Sequence, residues 1–481
     1  MFTRLLICLI LLGITSSTAM SGSGDQDFGG IDPKVVTAWE KAGLRFGWFS
    51  AASGDIWRFD VKRRAAGTVL PGFGGWPTDG VKALPAPGVQ FGLDLHGKVD
   101  NEDLKELAGL NRLEVLNLFR SSVTDDGLKI LAGLAELRAL SLYQTKITDA
   151  GLKSLAGLKK LQMLDLGWTS LTDEGMQHLA GLTELRCLHL VHTNVTDAGL
   201  KPLAGLKELQ ALELAQTKVA DEGMKHLAGL TSLQVLGLVR TQMGDAGLKE
   251  LSGLKQLKVL HLGNTKITDE GVKHLAGLDH LQVLNLTATN VSNTGLGQLA
   301  GLQQLQTLEL IATKITDSGL KELAGLTQLE TLNVRWTAVA DESIRHLAGL
   351  KRLRELDLSV TKLTDAGLKD LAQLEQLKAL KMLNLAGTKV TDAGLKDLAR
   401  LKQLNDLNLT ATKVTDDGMK ELVGLPLLER LSLSSTSISN TGLRDLAGLK
   451  QLRVLDLSRT DVTRDGVDTL GAALPELEMH R

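Results

Sequence analysis

Three titratable side chains, Asp165, His189 and Glu213, recur at intervals of 24 residues. A carboxylate, an imidazole and a second carboxylate on neighbouring strands would stand about 5 Å apart, close enough for a metal or proton-transfer row. The more ordinary expectation is a charge-paired ladder in which the carboxylates favour the charged imidazole. A second set is aromatic. Past Phe91 only Phe119, Tyr143, Trp168 and Trp336 remain. Phe119, Tyr143 and Trp168 fall in three consecutive 24-residue units, and Val191 and His192 extend the group. Rings gathered on an exposed surface are what binding hot spots are made of. No spacing for phosphate cradling, zinc binding or nucleophilic catalysis occurs, so no metal, cofactor or catalytic residue is expected.

The element that positions these residues is a repeat. One copy runs from Leu137 through Leu140, Leu142, Thr145, Ile147, Asp149, Gly151, Leu152, Leu155 and Gly157 to Leu158, and the next begins at Leu161. Sixteen L-x-L cores follow one another from Leu93 to Leu455, with Leu477-Glu478-Met479 as a partial seventeenth. Leu-x-x-Leu-x-Leu alternates with period two and predicts a short strand. Thr148 and Asp149 supply an N-cap and an acidic first turn, Leu152, Leu155 and Leu158 a helical stripe, and Gly157 a left-handed stop. A unit this short cannot close its own core, so neighbours must stack. All four late aromatics sit just after the L-x-L core, at the first or second residue, on the solvent side of the strands. In the C-terminal half that side turns polar, with Asn333, Asp357, Asn384, Asn408 and Asp456 in one row.

This pattern resembles the leucine-rich repeat family over about four-fifths of the chain. The T-D-x-G-L-x-x-L-A stretch is most similar to the helix-bearing subclasses, the ribonuclease-inhibitor-like repeats and those of F-box proteins. The resemblance implies an α/β right-handed solenoid, a curved arc with parallel strands concave and short helices convex. Sixteen strands at about 4.8 Å would line roughly 75 Å of concave surface. Where the family usually has Asn or Cys, this chain has Thr in fourteen copies, from Thr145 to Thr460, and Ser121 in the first full copy. A threonine hydroxyl both donates and accepts, so a hydroxyl-to-backbone ladder is expected. Ser343, Gln373 and Arg400 replace repeat glycines, and three extra residues between Leu371 and Leu383 predict a lengthened helix.

Composition narrows the functions. The chain has 481 residues, 43% hydrophobic, with 101 leucines and 50 glycines but 3% aromatics. Disorder is excluded, since such a chain can bury enough surface to offset its ordering entropy. Lys+Arg number 54 against 56 Asp+Glu, a net charge of −2 that argues against nucleic acid. Residues 1–19 read as a signal peptide, with Arg4, an apolar run from Leu5 to Ile14 and small residues up to Ala19, so export to the periplasm, envelope or medium is expected. That run is too short to span a bilayer, and the mature chain would have no transmembrane helix. Cys8 lies within it, leaving Cys187 and no intrachain disulfide.

Residues 25–90 hold four of the six tryptophans and five of the eight prolines. They predict a cap over the first repeat, with a helix from Val35 to Gly43, strands at Leu44–Phe49 and Ile56–Val61, and Trp39 and Trp48 buried. The repeat domain is then 91–481. The resulting expectation is a monomeric, non-catalytic binder of a protein ligand on the concave face. Its contacts are Phe119, Tyr143, Trp168, His189, Val191 and His192, with Trp336 as a second point. The rivals are an envelope spacer, an F-box-like receptor for which residues 25–90 are too rich in Gly and Pro, and an enzyme with its chemistry in the cap or the His189 row.

Overall fold

The computed structural model describes residues 29–50, 58–60, 69–75, 85–97 and 99–481. The proposed signal at 1–19 lies outside them, as do Trp57 and Trp76. The chain forms two compact units, Met1–Val259 and Leu260–Arg481. In the first, helix Pro33–Lys41 is capped by Asp32 and ends ahead of Gly43, whose φ of 96° is open to glycine at little cost. Strand Arg45–Ser50 pairs antiparallel with Arg58–Asp60 and with Val69–Gly74. The third of these strands was not expected from the sequence, because Pro71, Gly72 and Gly74 are poor strand formers. It pairs parallel with Phe91–Asp94, so the N-terminal segment continues the sheet of the repeats. Gly72 lies opposite Gly92 in that pairing, and the Phe49 ring lies across both, filling the space that two side chains would need. Trp39 is fully buried, stacked on Phe73 at 4.6 Å and edge-on to Phe91 at 6.2 Å, and its indole N–H donates to the Pro85 carbonyl at 2.8 Å.

After a one-residue register shift between Phe91 and Gly92, each repeat adds one parallel strand in steady register from Leu93 through Leu116, Leu140, Leu164, Leu188, Leu212 and Leu236. In the second unit the same pairing runs from Leu284 to Met479. Each strand leads into a short helix, such as Asp149–Leu155. Leu137, Leu142, Ile147, Leu152, Leu155 and Leu158 of one repeat are all 0% exposed. Each such side chain contributes about 1.5–3 kcal/mol of burial, repeated down the stack.

The T-D-x-G stretch caps its own helix in many copies, Thr172 and Thr196 each accepting the amide two residues on, and it also ties neighbouring repeats together. Thr148 has the extended backbone of an N-cap, yet its side chain makes no bond to that helix. It reaches back one repeat, where Asp125 Oδ1 accepts from Thr148 N at 2.8 Å and Oδ2 from Thr148 Oγ1 at 2.6 Å. Asp149 holds Thr172 in the same way, and Asp173 holds Thr196. The repeat glycine makes this possible, because a Cβ at Gly223 would lie 2.5 Å from Asp197 Oδ1. Where Ser343 replaces that glycine, the whole segment Asp341–Gly349 winds as a 3₁₀ helix and the Ser343 hydroxyl donates to the Ala340 carbonyl. Gly157 is not a left-handed stop. The helix closes by tightening, with Leu158 N donating to Leu155 O at 2.9 Å, so no positive φ is needed there.

The threonine ladder is hydroxyl-to-backbone, as its chemistry allows, but it runs within each repeat. Thr145 Oγ1 donates to Leu142 O at 2.6 Å, and the bond recurs in every threonine copy through Thr460. Ser121 Oγ, at the same place, is buried without a partner. The three extra residues are taken up by helix Asp365–Gln373 and a 3₁₀ turn at Glu375–Ala379, leaving Leu356 in register with Leu383.

Removal of the interlock should show in stability. Asp173 accepts from both the amide and the hydroxyl of Thr196, whereas Asp197 accepts only the amide of Ala220 at 2.6 Å. Asp173→Ala is therefore expected to cost about 1 kcal/mol more than Asp197→Ala, one hydrogen bond's worth, in urea unfolding of the full chain.

Candidate functional site

The open side of the strands is the surface where the candidate residues gather. It is shaped by a turn that every repeat shares. Two residues past the L-x-L core the backbone is left-handed, with φ of 56–60° at Arg120, Gln144, Trp168, His192, Gln216 and Arg240 in the first unit. The turn is held by cross-repeat bonds such as Trp168 N to Val191 O at 2.7 Å and His192 N to Ala215 O at 2.9 Å. In many repeats a polar side chain inside the L-x-L core completes it. Asp165 Oδ1 accepts from Gly167 N at 3.0 Å, and Glu213 Oε1 accepts from Ala215 N at 2.9 Å.

This turn gives the polar row of the second unit a structural role. Asn333, Asp357, Asn384, Asn408 and Asp456 each accept the backbone N–H two residues on. Asn384 also donates to Asp357 Oδ2 at 2.9 Å, tying one repeat to the next. The row belongs to the scaffold first. The same bond accounts for Asp165, which is 1% exposed.

The carboxylate–imidazole–carboxylate row is in register, with Asp165 beside His189 and His189 beside Glu213. His189 Nε2 lies 3.3 Å from the Cys187 sulfur, and Glu213 folds over Gly237, where a side chain would collide with its carboxylate. Among the described residues no three His, Cys, Asp or Glu side chains converge as metal ligands. His178, His226, His274 and His346 sit half-buried on the helix side. His261, on strand Val259–His261 at the position equivalent to Asp165, is 5% exposed, its Nε2 without a partner, and burial lowers its pKa to about 4.

The aromatics divide into two stacks rather than one patch. Phe119 and Tyr143 sit at the first position after the core and stack at 5.1 Å with planes 18° apart. Trp168 and His192 sit at the second, left-handed position and stack at 3.9 Å and 22°. Gly167 joins them, since a Cβ there would lie 2.8 Å from the Tyr143 ring. Phe119, Tyr143, His189 and Val191 are half-buried, while Trp168 is 39% exposed. The Arg120 guanidinium lies 5.0 Å over the Phe119 ring and donates to Gln144 Oε1 at 2.8 Å. In the second unit Trp336 is 57% exposed, with Arg335 over its ring at 4.9 Å. The next repeat places Val360, 40% exposed, at φ 53°, where a β-branched residue is strained. The spacing marks the offset, 24 residues from Phe119 to Tyr143 but 25 from Tyr143 to Trp168, and the left-handed turn gives that one-residue step a different direction.

A profile described as a leucine-rich repeat region matches residues 98–251 and 241–479. The chain belongs to the leucine-rich repeat family. Among solved structures it is similar to an internalin of Listeria monocytogenes, 25% identical, covering 69% of this chain and 88% of that one with a TM-score of 0.52. It is also similar to a leucine-rich repeat protein of Leptospira interrogans, 23% identical, covering 79% and 98%, with a TM-score of 0.54. No curated protein matches it. No helix among the described residues is long and apolar enough to cross a membrane.

Glu309, half-buried on the open side of the second unit, has its pKa raised to about 7. Burial is the main cause and Asp357 adds repulsion, against a hydrogen bond from Asn333. The fold therefore favours the protonated carboxyl over the unfolded chain. That contribution is complete below pH 4.5 and is lost as pH rises from 4.5 through 7. Glu309→Gln should accordingly stabilise the protein by about 1–3 kcal/mol at pH 8 and leave it unchanged at pH 4, as read by denaturant unfolding at the two pH values.

Proposed function

We propose that this protein is a non-catalytic scaffold that binds a protein ligand on the strand-bearing face of its repeats, after export from the cytoplasm. One observation carries the reading. Every aromatic residue that the repeats possess past Phe91 lies on that face, half-exposed or exposed, and none is spent in the leucine core. Trp and Tyr offer large contact area for few rotatable bonds, which is why such rings dominate interface energies. Phe119, Tyr143, Trp168, His189, Val191 and His192 form the main contact and Trp336 a second one. The short helix that follows each strand fits the ribonuclease-inhibitor-like and F-box-type subclass of the family.

The test is a double substitution. Tyr143→Ala with Trp168→Ala should leave the melting temperature nearly unchanged, since both rings lie outside the core. Capture of the native partner, identified by crosslinking in the source organism, should fall by about tenfold or more. Equal capture by both forms would assign the array a spacer role.

Export rests on the order of charge, apolar run and small residues in 1–19. Mass spectrometry of the mature N-terminus is expected to find cleavage near Ala19. An intact Met1 in a cytosolic fraction would overturn this part.

A further inference from the structure

Charge on the open side of the first unit is unevenly hidden. Its carboxylates are Asp94, Glu114, Asp165 and Glu213. Asp94 is half-buried, bonded to His96 and to Asn117. Glu114 is 8% exposed and paired with Arg138 at 3.1 Å. Asp165 and Glu213, at 1% and 8%, turn to their own backbone amides. The cations are left outside. Arg120 and Arg240 are exposed at the two ends of the left-handed row, and among the described residues neither has an ion-pair partner. Lys146 and Lys218, two residues beyond that row, are exposed as well. A chain with a net charge of −2 thus presents a cationic, aromatic ridge of Arg120, Gln144, Trp168, His192, Gln216 and Arg240.

We propose that this ridge holds an acidic peptide segment of the protein partner, laid along the repeats. The inference rests on the reading of this face as a binding surface and adds the chemistry of what it binds. Arg120 and Arg240 are five repeats apart, about 24 Å at one strand per repeat, which an extended chain crosses in about seven residues. Two carboxylates at that separation meet the two guanidinium groups, each able to form paired hydrogen bonds to a carboxylate. Between them an apolar side chain of the peptide covers the exposed edge of Trp168. Single-stranded nucleic acid fits less well. Its bases need a free ring face to stack on, and one face of Trp168 is already covered by His192 at 3.9 Å.

The experiment is fluorescence anisotropy of the full chain with a labelled ten-residue synthetic peptide. The peptide carries aspartates at its second and ninth positions and tryptophan near its centre. Binding should weaken with added salt. It should weaken about tenfold or more when both aspartates become asparagine, and similarly for Arg120→Gln with Arg240→Gln at unchanged melting temperature. Equal binding of the two peptides, or tighter binding of an oligothymidine of the same length, would overturn the proposal. If Trp168→Ala abolishes binding while the arginine changes do nothing, the surface stands and its acidic specificity falls. If neither change matters, both readings fall together.

Discussion

The reach of an aspartate from one repeat into the next is the contact on which the array depends. A two-turn helix is too short to be stable alone, and a three-residue strand pairs through few bonds. The carboxylate of Asp125, Asp149 or Asp173 fixes the start of the following helix through its amide and, where threonine is present, its hydroxyl. Bonds to a charged acceptor are stronger than neutral ones, so the spacing between repeats is set where the backbone would otherwise be least constrained. The glycine that stands two residues after these aspartates in all copies but that of Ser343 follows from this contact. It leaves room for the incoming carboxylate of the repeat before.

Threonine and asparagine settle the remaining polar groups at other heights of the repeat. Thr145 and its equivalents satisfy a carbonyl left free where the strand ends. Asn117, Asp165 and their equivalents hold the tight turn that follows. With these bonds made, the leucines can fill the interior with most of the backbone polar groups around the turn satisfied. Ser121 shows what the methyl of threonine adds. The serine hydroxyl is buried yet unpaired, consistent with a side chain that nothing confines to the bonding rotamer.

Much of this was legible beforehand because the repeat is written so many times. Strand, helix, period, leucine core and the placement of the aromatics outside it follow from alternation and spacing. What escaped was set by contacts between repeats. A threonine and an aspartate ahead of a helix signal a cap, which Thr172 and Thr196 do form, but a single unit gives no sign that they also bond to the neighbouring repeats. The strand Val69–Gly74 was hidden by its proline and glycines, which are tolerated because the Phe49 ring occupies the space beside Gly72 and Gly92. The division of the rings into two stacks depends on a positive φ at residues as ordinary as Gln144 and Ala312, for which no residue preference gives warning. The polar row of Asn333 and Asp357 looked like surface chemistry and is largely turn chemistry.

The left-handed position has an evolutionary consequence. Its conformation is imposed from outside, by an amide bonded to the next repeat and in many copies by a side chain three residues earlier, so the identity of the residue that occupies it can vary. Arginine, glutamine, tryptophan, histidine, alanine, serine and even valine all stand there. Selection can therefore rewrite that column one letter at a time, acquiring or discarding a specificity, while the hydrogen bonds that build the turn stay untouched.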